Sequence, residues 1–452
     1  MHRFPRLTAP RTALGTALAV AAVLGTTGCS GLLDVDNPNN VNAEALALPA
    51  SATPQVNGVL AAITRGATQL LGPVAIASDE LSWSGSLDGV DGLNRGFIRD
   101  PFNEFLTDAT LGMTPARYTA NQTIKQLEEF RVAQTLSDPV QLARANLYAA
   151  VTYSYIANHF DDFVIASNRQ EGGASIGPAN MVTLYDSVEA ATTRALAIAP
   201  ATNAALRGQI LAVRARGKFD RAVWQRINPS GTVPAQPLVD VQGAADDAVA
   251  ALALLGADGR FQLAVQNLMA FGNCFLPSCT NSRREVRFNP VLGTYNYTTR
   301  VLTVALRDPI TNLPDPALGA LMTEFAVGNL LSPVTVTGSR DMRLIIAEVA
   351  LARGDLATFT TQINALRALN QLPPWTGVAP QPSALNMLIH ERRVNLFLQG
   401  RRLNDMYRFG IVDPAWSAQS DAVTCPGSQF PIVEVERQTN PGVASAQPAC
   451  GQ

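Results

Sequence analysis

The chain has 452 residues, of which 47% are hydrophobic and 15% are charged, so it can bury a large core and does not have the composition of a disordered chain. The formal net charge is -2 and no basic tract is present, which argues against nucleic acid or another polyanion as the ligand. After residue 29, we find no apolar run that approaches the length of a membrane-spanning helix.

The segment 1–28 has the order of residues that is typical of a secretory signal peptide. Arginines precede an apolar run, 13–24, that is too short to cross a bilayer as a helix. Thr27 and Gly28 then stand directly before Cys29, as in a bacterial lipobox. The alternative is an ordinary cleaved signal followed by a spare cysteine. We expect Cys29 to be acylated, so that the mature chain, beginning with the tether 29–42, is anchored to a membrane by lipid.

Helical periodicity dominates the rest of the chain. Short turns separate consecutive helices, a pattern typical of tetratricopeptide-like helix pairs. At one turn, Ser137 or Asp138 can cap the following helix, and Pro139 suits its first turn. The predicted helices are 54–71, 117–135, 139–158, 181–198, 203–217, 239–255, 340–353, 356–369 and 383–399, and Gly400 ends the last of them.

Long irregular segments interrupt the helices at 79–113, 256–337 and 417–452, and the second of them contains a β-favouring run at 301–306. Loops of this length in a compact domain usually carry function. We therefore predict an all-α, tetratricopeptide-like helical-repeat stack over 43–452, built as a single domain, with long loop excursions and minor β structure.

Four cysteines follow the lipobox cysteine, and an even number in an exported chain favours disulfides. Three pairings are possible. We expect the two local ones, which join Cys274 to Cys279 and Cys425 to Cys450. The two histidines of the mature chain are not spaced for a shared metal ion, so we predict no metal site.

Several segments carry a resemblance to a known family. The most specific are IHERRVNL at 389–396 and GRRLNDMYRFG at 400–410, and further matches lie at 32–38, 143–155, 344–355 and 430–441. Together they resemble the SusD/RagB family of nutrient-uptake lipoproteins. The resemblance implies a surface-exposed outer-membrane lipoprotein that binds a glycan or a peptide. It also implies delivery to a TonB-dependent, SusC-like transporter, with no catalysis and no cofactor.

Two enzyme classes and a purely protein-binding scaffold are the alternatives. The stretch 173–177 matches a nucleophile elbow, but Pro178 and a polar loop surround it instead of a strand and a helix. A glycoside hydrolase would need two carboxylates at a set separation, and the sequence offers Asp79, Glu80, Asp88 and Asp91. We expect no enzyme, and we interpret Glu391-Arg392-Arg393 as part of a structural ion-pair network.

A glycan site needs flat aromatic faces with polar groups beside them. Trp83 is the first candidate, either as a binding platform or as a buried loop anchor, and Trp375 is the second, followed by Tyr295 and its neighbour Tyr297. We expect Trp83 and Trp375 to face one concave surface. The predicted polar partners are Asp79, Glu80 and Arg95.

Overall fold

A computed structural model describes residues 43–166, 172–266, 276–444 and 446–451. About 58% of the chain is helical and 7% is in strands, which confirms the predicted helical class with minor β structure. Residues from Pro49 onward form one compact unit. Helix α1 (Ala43–Leu46) belongs to the preceding unit. The predicted signal peptide, Cys29 and the tether lie outside the described residues.

Helices form the framework of the large unit, and consecutive long helices pack against each other along the chain. This arrangement is the predicted helical-repeat stack. The helices are α2 (Ala52–Ala77), α3 (Asp88–Asn94), α4 (Glu104–Val132), α5 (Pro139–His159), α6 (Leu184–Ile198), α7 (Ala204–Ile227), α8 (Gln242–Leu255), α9 (Pro316–Gly328), α10 (Ser339–Ala352), α11 (Leu356–Leu369), α12 (Ala384–Asn395), α13 (Arg402–Phe409), α14 (Asp421–Thr424) and α15 (Glu434–Thr439).

Local sequence signals account for several helix boundaries. Asp138 accepts a hydrogen bond from the backbone N–H of Val140 at 3.0 Å, and Pro139 is the first residue of α5, as predicted. Helix α11 has the predicted bounds, and Asp355 caps it through the N–H of Thr358. Where a cap and a regular apolar face coincide, the sequence alone places the helix.

Several predicted boundaries were wrong. Helices α2 and α7 continue to Ala77 and Ile227 and do not end at 71 and 217, and two further differences have identifiable causes. Helix α4 begins at Glu104 and not at 117, because Asn103 caps it and the helix continues through Pro115. Helix α12 ends at Asn395 and not at 399, because the backbone of Leu398 and Gly400 is left-handed, with φ angles of 57° and 71°. Part of the segment predicted as a loop at 79–113 is therefore helical.

In the described part of the chain, six short strands form three separate two-stranded antiparallel sheets. Strand β1 (Leu81–Trp83) pairs with β3 (Val286–Phe288), β2 (Arg260–Leu263) pairs with β6 (Val334–Gly338), and β4 (Gly293–Asn296) pairs with β5 (Val301–Val304). The long excursion at 256–337 thus supplies five strands, and one of them pairs with β1, far away in the sequence.

One segment of the described chain, Pro49–Ala77, is long and apolar enough to cross a membrane by length and composition. Our expectation that no such run follows residue 29 was therefore wrong. However, 78% of its most apolar window is buried inside the protein. The segment is accordingly the central core helix, in which Ile63, Leu70 and Val74 are buried.

The charged residues of the C-terminal helices form the predicted structural network. Arg392 donates to Asp405 at 2.8 Å, and Arg393 donates to Asp79 at 2.6 Å. Glu391 accepts a hydrogen bond from Arg367 at 3.2 Å. All of these groups except Arg393 are nearly inaccessible to solvent, so the cluster holds helices together and is not open to a substrate.

Candidate functional site

Asp79, predicted as a polar ligand contact, is a structural residue at the end of α2. Its carboxylate accepts two hydrogen bonds from Arg402, at 2.6 and 2.8 Å, and one from Arg393 at 2.6 Å. Burial alone would raise the pKa of Asp79, but the hydrogen bonds and charges of the two arginines outweigh it and lower the pKa. With its oxygen atoms engaged in this way, Asp79 is not a ligand contact.

Glu80, the second predicted polar contact, is only 3% exposed. One carboxyl oxygen accepts a hydrogen bond from the N–H of Leu398 at 2.8 Å. Burial raises the pKa of Glu80 to about 8. Such a shifted carboxyl is a frequent sign of an acid catalyst. A substrate cannot reach this one, however, because it lies beneath the turn that follows α12.

Trp375 does not face a concave surface, and this part of the predicted site is wrong. Its side chain is 4% exposed and belongs to a hydrophobic cluster with Phe359, whose ring lies 5.2 Å away in an edge-to-face arrangement. The indole N–H donates to the carbonyl of Pro382 at 2.9 Å. The stiff loop after α11 folds back onto the helix pair and buries the ring.

Trp83 is half-buried at the end of β1, where it stands opposite Val286. Its backbone N–H donates to the side chain of Asn94 at 3.1 Å. Arg95, which follows Asn94, is mostly exposed and forms an ion pair with Asp91 at 3.8 Å. The hydrogen bond from Trp83 thus contacts the residue before Arg95, and the two predicted site residues are linked only through Asn94.

Tyr295 lies on β4 and Tyr297 directly after it, and Arg284 links them to the segment that carries Trp83. Their ring centroids are 4.8 Å apart, and the guanidinium of Arg284 lies 5.0 Å from the centroid of the Tyr297 ring. The hydroxyl of Ser84, next to Trp83, donates to the backbone carbonyl of Arg284 at 3.1 Å. We call Trp83, Ser84, Arg284, Tyr295 and Tyr297 the aromatic patch.

Hydrogen bonds and ring contacts position the patch. The hydroxyl of Tyr297 donates to Asn281 at 3.1 Å, and the amide of Asn281 donates to the carbonyl of Phe325 at 2.9 Å. Burial raises the pKa of Tyr297 to about 12, so its hydroxyl remains a neutral donor at physiological pH. Arg284, which sequence reasoning missed, is exposed and completes the patch with a planar cation.

A cavity that the sequence did not predict lies elsewhere. It is a cleft of about 650 Å³ between α4, the loop that follows α5, and α15. Tyr118, Phe160, Phe163 and Ile432 are among the apolar residues of its wall, and Arg117 and Glu436 contribute charged groups. We call this the Arg117 cleft. A volume of this size suits a small ligand.

Three of the four carboxylates that the sequence offers for glycoside hydrolysis have structural partners or are buried, and the fourth, Asp88, is exposed at the start of α3. Asp79 is held by arginines and Glu80 is buried, whereas Asp91 forms an ion pair with Arg95. Ser175, in the sequence that matches a nucleophile elbow, lies in an isolated β-bridge with Val164, and no strand-to-helix turn presents it.

One group of described side chains has the composition of a metal site. The candidate ligand atoms of Asp308, Asp315 and His390 all lie within 4.8 Å of one another. However, Arg367 donates to Asp308 at 2.7 Å, His390 Nε2 lies 2.9 Å from Asp315, and Asp315 caps α9. These protein partners already use the oxygen atoms, so the group is best described as a hydrogen-bonded structural cluster.

Cys425 and Cys450 form the predicted disulfide, with their Cα atoms 5.9 Å apart. It joins the C-terminal tail to the segment after α14. Cys279 is buried and is also disulfide-bonded. Its predicted partner, Cys274, lies outside the described residues.

No protein-family sequence model matches the chain, and no curated protein sequence matches it. Solved structures do match. A SusD superfamily protein from Bacteroides fragilis is similar with a TM-score of 0.60 at 14% identity, covering 88% of this chain and 99% of that chain. One from Bacteroides thetaiotaomicron VPI-5482 has a TM-score of 0.59 at 12% identity, covering 89% and 100%. The fold is that of the SusD superfamily.

The SusD-like fold also matches a laminarin-binding SusD-like protein, with a TM-score of 0.50 at 15% identity, covering 87% of this chain and 98% of that chain. At these identities the similarity concerns the fold. In this SusD-like chain, the aromatic patch and the Arg117 cleft are two separate sets of residues that a ligand could contact.

Proposed function

We propose that the protein is a SusD-like binding protein that captures a glycan at the aromatic patch and does not hydrolyse it. The observation that carries the proposal is the pair of tyrosine rings beside the guanidinium of Arg284, whose backbone carbonyl accepts a hydrogen bond from Ser84, the neighbour of Trp83. Aromatic rings stack on the C–H faces of sugars, and an exposed guanidinium can donate to hydroxyl groups. The laminarin-binding protein of similar fold supports a glycan as the ligand.

The proposal extends to the location of the protein and to its partner. We propose that acylated Cys29 anchors the chain to the outer membrane with the large unit at the cell surface, and that the bound nutrient passes to a TonB-dependent transporter. The lipobox-like sequence and the resemblance of 389–396 and 400–410 to the SusD/RagB family support both statements. Purification of the protein from its native membrane, followed by mass spectrometry of the partners retained with it, tests the transporter.

The glycan site is tested by isothermal titration with laminarin and a panel of other oligosaccharides. Replacing Trp83 or Tyr297 with alanine should weaken binding by about 1–3 kcal/mol, since each change removes a partly exposed ring face. The matched control is Phe102→Ala, because Phe102 is 71% exposed but lies outside the patch. The patch assignment is wrong if both patch variants bind as well as the control.

The same samples distinguish a binding protein from a hydrolase. Incubation of the wild-type protein with each bound oligosaccharide should leave its chain length unchanged by mass spectrometry. Glycoside hydrolysis would be the better assignment under two conditions. Shortened products would have to appear with the Trp83 and Tyr297 variants, and they would have to disappear when one acidic residue is replaced.

A further inference from the structure

Arg117 differs from the other buried arginines in what surrounds its charge. Eight arginines of the described chain are buried, and six of them have a carboxylate oxygen within 4.0 Å: Arg216, Arg367, Arg392, Arg401, Arg402 and Arg408. Arg437 donates instead to three backbone carbonyls. Among these eight, only Arg117 has neither a described carboxylate partner nor more than one hydrogen bond. Its one hydrogen bond goes to the carbonyl of Ala166 at 2.7 Å.

This unpaired cation lies in the wall of the Arg117 cleft. Arg117 is 3% exposed, and its Nε makes no hydrogen bond in the described structure. A buried guanidinium without an anionic partner is costly, because it has lost its water and gained no equivalent contact. A ligand carboxylate is the group that best restores the missing interaction, since it can accept two parallel hydrogen bonds from a guanidinium.

The cleft also contains carboxylates, which matters for the net charge of the ligand. One oxygen of Asp162 accepts hydrogen bonds from the N–H groups of Phe163 and Gly177, so this residue is tied to the loop. Glu436 is half-buried, and one of its oxygens accepts from Asn440 at 2.7 Å. No ion pair within 4.0 Å joins Arg117 to either of these described carboxylates. A simple anion would be repelled by them, whereas a ligand with both charges fits this arrangement.

Apolar residues of the wall can contact an apolar ligand body. Phe160 and Phe163 are almost fully buried and contact each other edge to face, at 5.2 Å between ring centroids. These two rings therefore do not offer a broad face to a ligand, whereas the half-buried Tyr118 is an aromatic residue of the wall that a ligand can contact. Ile432 and Pro115 add aliphatic surface. Burying an aliphatic or aromatic side chain against apolar residues is favourable, whereas burying sugar hydroxyl groups there costs their hydrogen bonds to water.

We infer that the Arg117 cleft binds a small zwitterion with an apolar side chain, namely a hydrophobic amino acid or a short peptide with free termini. The ligand carboxylate pairs with Arg117, and its ammonium group lies towards Glu436. This site goes beyond the proposed glycan function and does not depend on it, because the aromatic patch contributes no residue to the cleft.

The test is isothermal titration of the full mature protein with leucyl-phenylalanine, its C-terminal amide and its N-acetyl derivative. On the wild-type protein, the amide should bind about tenfold or more weakly than the free acid, because it lacks the charge that Arg117 requires. The N-acetyl derivative should also bind more weakly. Free leucine in a parallel titration distinguishes an amino-acid site from a peptide site.

Variants then locate the binding. Arg117→Met should abolish the preference for the free acid over the amide, and Glu436→Gln should abolish the preference for a free amino terminus. Arg131→Met is the matched control, because Arg131 lies on the same helix, α4, and pairs with Glu128 near the surface. If Arg117→Met does not fold, the comparison of acid with amide on the wild-type protein still shows whether the ligand carboxylate is required for binding.

Three results would overturn the inference: no binding of the dipeptide at millimolar concentration, equal binding of acid and amide, or competition of laminarin with the dipeptide for one site. The glycan proposal fails separately, through the Trp83 and Tyr297 variants. Failure of one site is therefore distinguishable from failure of the other.

Discussion

Arg402 donates two hydrogen bonds to Asp79, at 2.6 and 2.8 Å, across 323 positions of the sequence. The pair joins the start of α13 to the end of α2, immediately before β1 and Trp83. The arginine-rich C-terminal segment thus fixes the strand that carries the aromatic patch. This explains how residues far from any ligand can be important for the site.

Breaking this pair should destabilise the fold. Asp79→Asn leaves the buried Arg402 and the partly buried Arg393 without their counter-charge, which should lower the free energy of unfolding by about 3–5 kcal/mol. Urea denaturation measures the change. Glu128→Gln, which breaks the partly exposed pair with Arg131, is the control and should cost at most about 1 kcal/mol. Similar losses in both variants would contradict the structural role assigned to Asp79.

Glu80 should make stability depend on pH. Burial holds its pKa at about 8 in the folded protein, whereas the same carboxyl ionises near pH 4.5 in the unfolded chain. Between these values the unfolded state binds fewer protons, so Glu80 reduces stability by about 1.4 kcal/mol per unit of rising pH. Glu80→Gln cannot ionise and should remove this dependence. Urea unfolding of both proteins at pH 5, 6.5 and 8 measures it, and parallel profiles would refute the assignment.

Trp375 should matter for stability and not for ligand binding. Trp375→Ala removes a buried ring and its hydrogen bond to Pro382, so we expect a loss of about 3–5 kcal/mol in the free energy of unfolding. Trp83→Ala should cost less, because Trp83 is only half-buried. Thermal and urea unfolding of the two variants give the comparison, and the reverse order would show that the core assignment of Trp375 is wrong.

The disulfide of Cys425 with Cys450 should stabilise the C-terminal tail. It closes a loop with a sequence separation of 25, for which chain entropy predicts about 3 kcal/mol. Replacing both cysteines with serine should lower the free energy of unfolding accordingly, and adding a reductant to this variant should then have a smaller effect than on the wild type. Non-reducing peptide mapping checks the pairing directly and would detect Cys425 joined to any other cysteine.

Lipid attachment at Cys29 remains a prediction from the sequence. Cys29→Ser should release the protein from the membrane fraction or leave the signal uncleaved, because the thiol that receives the lipid is gone. Fractionation of cells and mass spectrometry of the mature N-terminus provide the measurement. A wild-type chain that remains in the membrane fraction but carries no acyl group would rule out this anchor.

Much of the helical framework could be predicted from local signals. Asp138 with Pro139 and Asp355 each mark a helix start, and the apolar periodicity that follows them is continuous. The end of α12 could not be predicted in this way. The left-handed turn at Leu398 and Gly400 is fixed partly by the carboxyl of Glu80, which comes from a distant part of the chain.

The sequence by itself determined the fold class, the order of most helices and the structural role of the C-terminal arginines, because these depend on periodicity and composition. It left three cysteine pairings possible, and the structure shows that Cys425 pairs with Cys450. Only the tertiary structure decided that Trp375 is buried, that Arg284 joins Tyr297 near Trp83, and that Arg117 lacks a described carboxylate partner in a cleft. The physical reason is that burial and charge pairing depend on contacts between segments that meet only after folding. Residue patterns within one segment do not show which distant segment it will contact.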